Sequence, residues 1–213
     1  MVRTVAVFLL CAAVLASCDR TDMNSLDVHG TVRDDRTGAP IAGARCVLER
    51  QTVDAGVWVD SWETVGDLET GADGTFALPF ERAQAIRYRL TVERSAHAPH
   101  VHEWSADVFY DTPLLAYDVT LSALGELVFR CIRIPGTEPG ASLFVRPTST
   151  AELLPGCPPN AVEVRETLPD TAWSCTFRGD RFIPYAQRIG SGPESVDSVW
   201  VPAFGMAEAL ISW

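Results

Sequence analysis

From residue 86 the chain reads IRYRLTV, and its apolar side chains, Ile86, Tyr88, Leu90 and Val92, alternate strictly with Arg87, Arg89 and Thr91. Successive side chains of an extended strand point to opposite faces, so this pattern fits a strand with one buried and one wet face, and no helix. LDVHGTV repeats the pattern near the start, with Leu26, Val28 and Val32 apolar and His29 on the polar side. Short turn signals punctuate such runs: RTGAP, GADGT, IPGTEPG, LPGCPP, RGD and IGSGP. No long segment carries the helical spacing of about 3.6, and 14 prolines discourage helices throughout. The expectation is an all-β chain of sandwich type.

The opening, MVRTVAVFLLCAAVLASC, has one positive residue (Arg3), an apolar run from Val5 to Leu15, then small residues leading to Cys18. This is the pattern of a secretory signal peptide. The run is shorter than the ~20 residues a spanning helix needs. Its end, Leu15-Ala16-Ser17-Cys18, resembles the bacterial lipoprotein signal. That resemblance implies removal of residues 1–17, lipidation of the Cys18 thiol as palmitate or a related acyl group, and a polar tether over residues 18–25. Acyl chains contribute about 0.8 kcal/mol per buried methylene, so two or three of them hold a protein on a membrane. The expected location is the bacterial cell envelope, periplasmic or surface-exposed; ordinary cleavage after Ser17 would instead release a soluble protein.

The charge balance narrows the partners. With 28 acidic and 17 basic residues the net charge is −11, which repels nucleic acid and anionic head groups. All the basic residues are arginine. The absence of lysine excludes a Schiff-base enzyme, a Walker A site and a lysine isopeptide cross-link. Beyond Cys11 and Cys18, the chain holds Cys46, Cys131, Cys157 and Cys175. Four cysteines in an exported chain favour two disulfides. The preferred pairs are Cys157 with Cys175, tethering LLPGCPPN to the strand AWSCTF, and Cys46 with Cys131; buried free thiols are the alternative. A catalytic cysteine is disfavoured, because no histidine follows residue 102.

The stretch GTVRDDRTGAPIAGARCVLE, with TGADGTFAL and YRLTVERSAHAP, resembles the carboxypeptidase regulatory-like domain, a transthyretin-like (prealbumin-like) β-sandwich. Gly30, Val32, Asp34, Thr37, Gly38, Pro40, Ile41, Gly43, Ala44, Val47, Asp73, Gly74, Phe76, Leu78, Tyr88, Leu90 and Val92 meet that family's pattern. The match covers residues 26–123. It implies an accessory module for packing or binding, with no catalytic site. Each motif also has a physical reason: Gly38 permits the positive φ of a tight turn, Pro40 presets its exit, and Gly43-Ala44 lets the next strand approach closely. Residues 124–213 read as a second β-rich region, with strands in GELVFRCIRI, ASLFVRP, AWSCTF and DSVWVPAF. Its opening loosely echoes LDVHGTVRDDRTGAPIAGARCVL, which suggests a degenerate second sandwich.

Two clusters are candidates for chemistry. HAPHVHEW places His97, His100 and His102 within six positions, and Zn²⁺ or Cu²⁺ takes two or three imidazoles readily. The H-x-x-E from His100 to Glu103 matches the zinc pair of metallocarboxypeptidases, but the downstream histidine those enzymes need is missing, and the enzyme is excluded. An exposed, histidine-rich turn is the plainer reading. In GVWVDSWET, Trp58, Asp60 and Trp62 would share one strand face, as suits stacking on a sugar; burial in a core is the plainer reading. The expectation is therefore a lipid-anchored, non-enzymatic protein with a structural or binding role, without cofactor. Its partners are the membrane and an envelope protein or polysaccharide. Carbohydrate binding and metal binding are the alternatives.

Overall fold

The computed structural model describes residues 25–54, 57–58, 60–148, 157–158, 160–167 and 170–213, without the side chains of 54, 57 and 58. The signal segment, Cys18 and most of the tether lie outside the described residues. The chain is all-β. Its strands are β1 (Ser25–Asp34), β2 (Arg45–Asp54), β3 (Val57–Trp58), β4 (Glu63–Glu69), β5 (Thr75–Glu81), β6 (Ala85–Glu93), β7 (His100–Ser105), β8 (Leu114–Ala116) and β9 (Val119–Leu121), followed by β10 (Leu124–Ile132), β11 (Ser142–Pro147), β12 (Val162–Arg165), β13 (Asp170–Arg178), β14 (Arg181–Ile189), β15 (Ser195–Val201) and β16 (Met206–Ser212). A single helical turn, α1 (Val108–Asp111), joins β7 to β8.

The strands form two β-sandwiches. In the first, β1 pairs antiparallel with β5 and parallel with β8 and β9, while the facing sheet runs β3-β2-β6-β7 with β4 also on β2. In the second, β10 pairs antiparallel with β13 and parallel with β16, against a sheet of order β12-β11-β14-β15. Seven strands of the first have counterparts in the second, and β3 and β8 have none among the described residues: β10 takes the place of β1, β11 of β2, β12 of β4, β13 of β5, β14 of β6, β15 of β7 and β16 of β9. The weak sequence echo between LDVHGTV and LGELVFR therefore marks equivalent first strands.

Alternation builds each core. In β5, Phe76, Leu78 and Phe80 are buried while the residues between them are exposed. They meet Leu26, Val28 and Val32 of β1 and Tyr88, Leu90 and Val92 of β6. Burying each such side chain contributes about 1.5–3 kcal/mol. Phe80, Tyr88 and Phe109 of α1 form a cluster of tilted and edge-on rings 4.8–5.3 Å apart. The second core gathers Leu127, Phe129, Val145, Phe177, Ile183, Tyr185, Val201 and Trp213. The motif glycines act as their positions require: Gly38, Gly43 and Gly74 all have positive φ, and a Cβ on Gly30 would lie 2.0 Å from the Tyr117 carbonyl oxygen. Thr70 is buried in the G-A turn, donating to Ile41 O and accepting from Ala44 N–H.

The cysteines divide. Cys157 and Cys175 are bonded, with Cα atoms 4.9 Å apart and 18 residues of separation, as the sequence suggested. Cys46 and Cys131 are not a pair: both are free and buried, Cys46 in the first core and Cys131 in the second. Neither sandwich core reaches into the other, so the two thiols serve as small apolar side chains. Burial pushes the Cys46 thiol up to about 12 and Cys131 up to about 11.

Both thiols are therefore expected to resist alkylation at pH 8 in the folded chain and to react together only on unfolding, which mass spectrometry after iodoacetamide treatment checks. Replacing Cys157 and Cys175 by serine is expected to lower unfolding free energy by about 3 kcal/mol in a urea titration, from the freed loop entropy of the unfolded state.

Candidate functional site

The two sandwiches meet at residues 122–126, and the backbone there is hydrogen-bonded to both sides. Ala98 N–H donates to Ser122 O at 2.8 Å, and Leu124 N–H to Ala96 O at 2.8 Å, tying the segment to the turn after β6. From the other side Gly179 N–H donates to Ala123 O and Phe204 N–H to Leu124 O, each at 2.7 Å, and Glu126 N–H donates to Gly205 O at 2.9 Å. A hydrogen-bonded segment of this kind is a fixed joint and leaves little freedom for a hinge.

A cleft of about 640 Å³ opens beside this joint. One wall is the T-G-A-P turn after β1, with Asp35, Arg36 and Ala39-Pro40-Ile41; the other is the Gly179-Asp180-Arg181 turn between β13 and β14 with the Ala203-Phe204 turn before β16; His97 and Ala123 complete it. Asp34 organises the first turn by accepting from Thr37 N–H, Thr37 Oγ and Arg36 N–H. Burial alone pushes its carboxyl up, but those hydrogen bonds and the nearby His97 outweigh it and hold it below the usual range.

Charged groups link the walls. Arg36 donates to the backbone oxygen of Asp180, and its guanidinium lies 3.6 Å from the Asp180 carboxylate. Asp35 accepts from the Ser122 hydroxyl and sits 3.9 Å from Arg181. Asp180 also accepts from Ala203 N–H at 2.9 Å, joining the two turns of the second sandwich. Arg36 further lies 5.4 Å from the centre of the Trp200 ring, which itself meets Phe182 edge-on at 5.2 Å. Phe204 meets His97 edge-on at 5.2 Å.

The three histidines part company. His97 belongs to the turn after β6 and faces the cleft, its Nδ1 3.0 Å from Ser95 O. His100 and His102 project from one face of β7, because alternate residues of a strand share a face. Their rings stack 6.4 Å apart, and Tyr117 covers them, its hydroxyl 3.1 Å from His100 Nε2 and its ring 4.8 Å from His102. Trp104 continues the row. Burial, and secondarily the charge of His102, push His100 below its usual value. Pro99 and the start of β7 lie between His97 and the other two of the candidate metal triad, and among the described residues no group of three or more His, Cys, Asp or Glu side chains is placed to hold a metal. HVHEWS is strand, and only the stretch before it is turn.

Trp58, Asp60 and Trp62 do not share a strand either. β3 ends at Trp58, residues 60–62 lie in no strand, and β4 starts at Glu63. Asp60 accepts from Gln51 Nε2 at 3.2 Å, which draws the connection over β2. Trp62 carries the Arg89 guanidinium 4.2 Å from its ring centre and Arg87 at 5.4 Å, so much of that ring is occupied within the protein. The side chain of Trp58 lies outside the described residues.

Sequence reasoning passed over Arg36, Asp180, Trp200 and Phe204. R-G-D is three common residues in a turn, and only the fold brings it against T-G-A-P, roughly 140 residues away in sequence. The one local sign was an aromatic set in a Pro202-Ala203-Phe204-Gly205 turn.

No model of a known protein family matches the sequence, and no curated protein matches it. Among solved structures, the chain is similar to the Bacillus anthracis TIE protein, with a TM-score of 0.37 at 8% identity over 89% of this chain and 34% of that one. It thus spans about a third of that protein's length. A Streptococcal ancillary pilin gives 0.35 at 12% identity over 90% of this chain and 63% of that one. The shaft pilin of Lactobacillus rhamnosus GG gives 0.33 at 10% identity over 89% and 97%.

At the joint, a Cβ on Gly179 would lie 2.5 Å from Ala203 Cα. Gly179→Ala is expected to force the two turns apart and to lower unfolding free energy by about 1–3 kcal/mol, measured by thermal and urea denaturation beside the wild-type chain.

Proposed function

We propose that this chain is a bacterial cell-envelope lipoprotein, anchored through Cys18, whose two joined sandwiches form a structural or binding module without catalysis. The observation that carries the reading is the use of the charged groups at the cleft. Arg36, Asp180, Asp35 and Arg181 are engaged in holding one sandwich against the other, and no serine or cysteine nucleophile stands beside a histidine base there. Such a cleft holds a shape and presents a surface. The first sandwich carries the residues that resemble the carboxypeptidase regulatory-like domain, and that accessory role agrees with this reading.

The anchor is supported by the Leu15-Ala16-Ser17-Cys18 sequence behind an apolar run. No helix among the described residues is long and apolar enough to cross a membrane. β1 begins at Ser25, so seven residues would separate the lipid from the first sandwich, a reach of at most about 25 Å. The module would then be held close to the bilayer.

Growth with an alkyne-tagged palmitate analogue is expected to label the wild-type chain and leave Cys18→Ser unlabelled, with the variant moving from the membrane pellet to the soluble fraction. A wild-type chain that is soluble and unlabelled would overturn the anchor.

A further inference from the structure

All the non-glycine residues with a left-handed backbone among the described residues lie at the joint: Ala96 (φ 60°), Asp180 (φ 54°) and Phe204 (φ 57°). Aspartate tolerates this conformation through its short polar side chain, whereas a bulky aromatic is an outlier there. Phe204 is also 63% exposed, so burial recovers little of the strain. Glycine would make the same N–H bond to Leu124 O without it. For folding alone, phenylalanine is the wrong residue at this position. Strain retained at an exposed residue points to a role outside stability.

More aromatic surface adjoins it. Phe182 is 64% and Trp200 40% exposed, and Arg36 connects them to the cleft. Inside, the carboxylates of Asp34, Asp35 and Asp180 face the guanidiniums of Arg36 and Arg181, so opposite charges nearly balance with a slight negative excess, and the cleft disfavours anions. It combines carboxylate acceptors, guanidinium donors and an apolar Ala39-Pro40-Ile41 wall. Each carboxylate has about four lone-pair sites and spends only part of them on its neighbours. The matching ligand has groups that both donate and accept, apolar C–H faces for stacking, and no negative charge. Sugar hydroxyls on a pyranose ring meet all three demands. The volume of about 640 Å³ suits a small ligand and is too confined to be a whole protein interface.

We propose that the cleft between the sandwiches binds a neutral oligosaccharide, stacked on Phe204 at its mouth and hydrogen-bonded by Asp35, Asp180, Arg36 and Arg181. This deepens the binding-module reading above and rests on it, but does not depend on the lipid anchor.

The test uses the full-length chain purified from membranes, or from the soluble fraction if it collects there, on a panel of neutral and acidic oligosaccharides, followed by calorimetry with the best-retained neutral member. Retention of neutral over acidic glycans is expected. Phe204→Gly is expected to weaken binding at least about tenfold while melting at the same or a higher temperature, and Phe204→Tyr to keep the affinity. Should Phe204→Gly lose its fold, Trp200→Ala on the exposed face of β15 carries the test, with a loss of several-fold expected. The proposal is overturned by retention of no neutral glycan, by preference for acidic ones, by binding of protein ligands alone, or by a folded Phe204→Gly that binds like wild type. A chain that binds neutral glycan but takes up no palmitate overturns the anchor only; one that is lipidated but binds none overturns this site only.

Discussion

The backbone hydrogen bonds of residues 122–126 are the constraint on which the two-sandwich structure depends. Without them the two small β-sandwiches would meet end to end through a two-residue connection with nothing to fix their relative orientation. With them, the carbonyls of Ala96, Ala123, Leu124 and Gly205 and the N–H groups of Leu124, Gly179, Phe204 and Glu126 form one continuous set of bonds across the joint. The turns that supply these groups come from both sandwiches. The cleft beside the joint exists because the turns are held at a fixed distance, and the ion pairs across it are secondary, being part-exposed and individually weak.

The repeated strand order offers a physical account of how such a joint arises. In each sandwich the first strand lies between an antiparallel neighbour and a parallel last strand. The last strand of the first sandwich, β9, and the first strand of the second, β10, are separated only by Ser122 and Ala123. A connection this short leaves no room for a flexible linker, so the ends of the two sandwiches must touch. On the second sandwich's side of the joint the turns are themselves closely packed, which glycines at 125 and 179 permit: a Cβ at 125 would fall 2.4 Å from the Pro202 oxygen, and one at 179 would fall 2.5 Å from Ala203 Cα.

The histidine-rich segment illustrates how a pattern can be read correctly as local structure and still mislead about chemistry. Its alternation places His100, His102 and Trp104 on one side of β7, as any strand would. What covers that side is Tyr117, brought in by the chain between β8 and β9 and contacting all three rings. The imidazoles thus pack as half-buried aromatic bodies. Likewise Trp62 is turned to Arg89 and Arg87, so an aromatic that looked available for a ligand is partly used within the protein.

Local rules determined a great deal from sequence alone. Period-two alternation and the turn signals were enough for an all-β sandwich chain, because strand faces and turn φ angles are set by neighbouring residues; Gly38, Gly43 and Gly74 have the positive φ their motifs require. The Cys157–Cys175 bond was legible too, being closed across only 18 residues. Tertiary structure decided the rest. It put Cys46 and Cys131 in separate cores, separated His97 from His100 and His102, and brought the T-G-A-P turn against R-G-D and Phe204. The cysteines and the two turns are placed by which core each segment joins and how the cores meet, and the histidines by where β7 begins and what Tyr117 covers; residue spacing alone encodes neither.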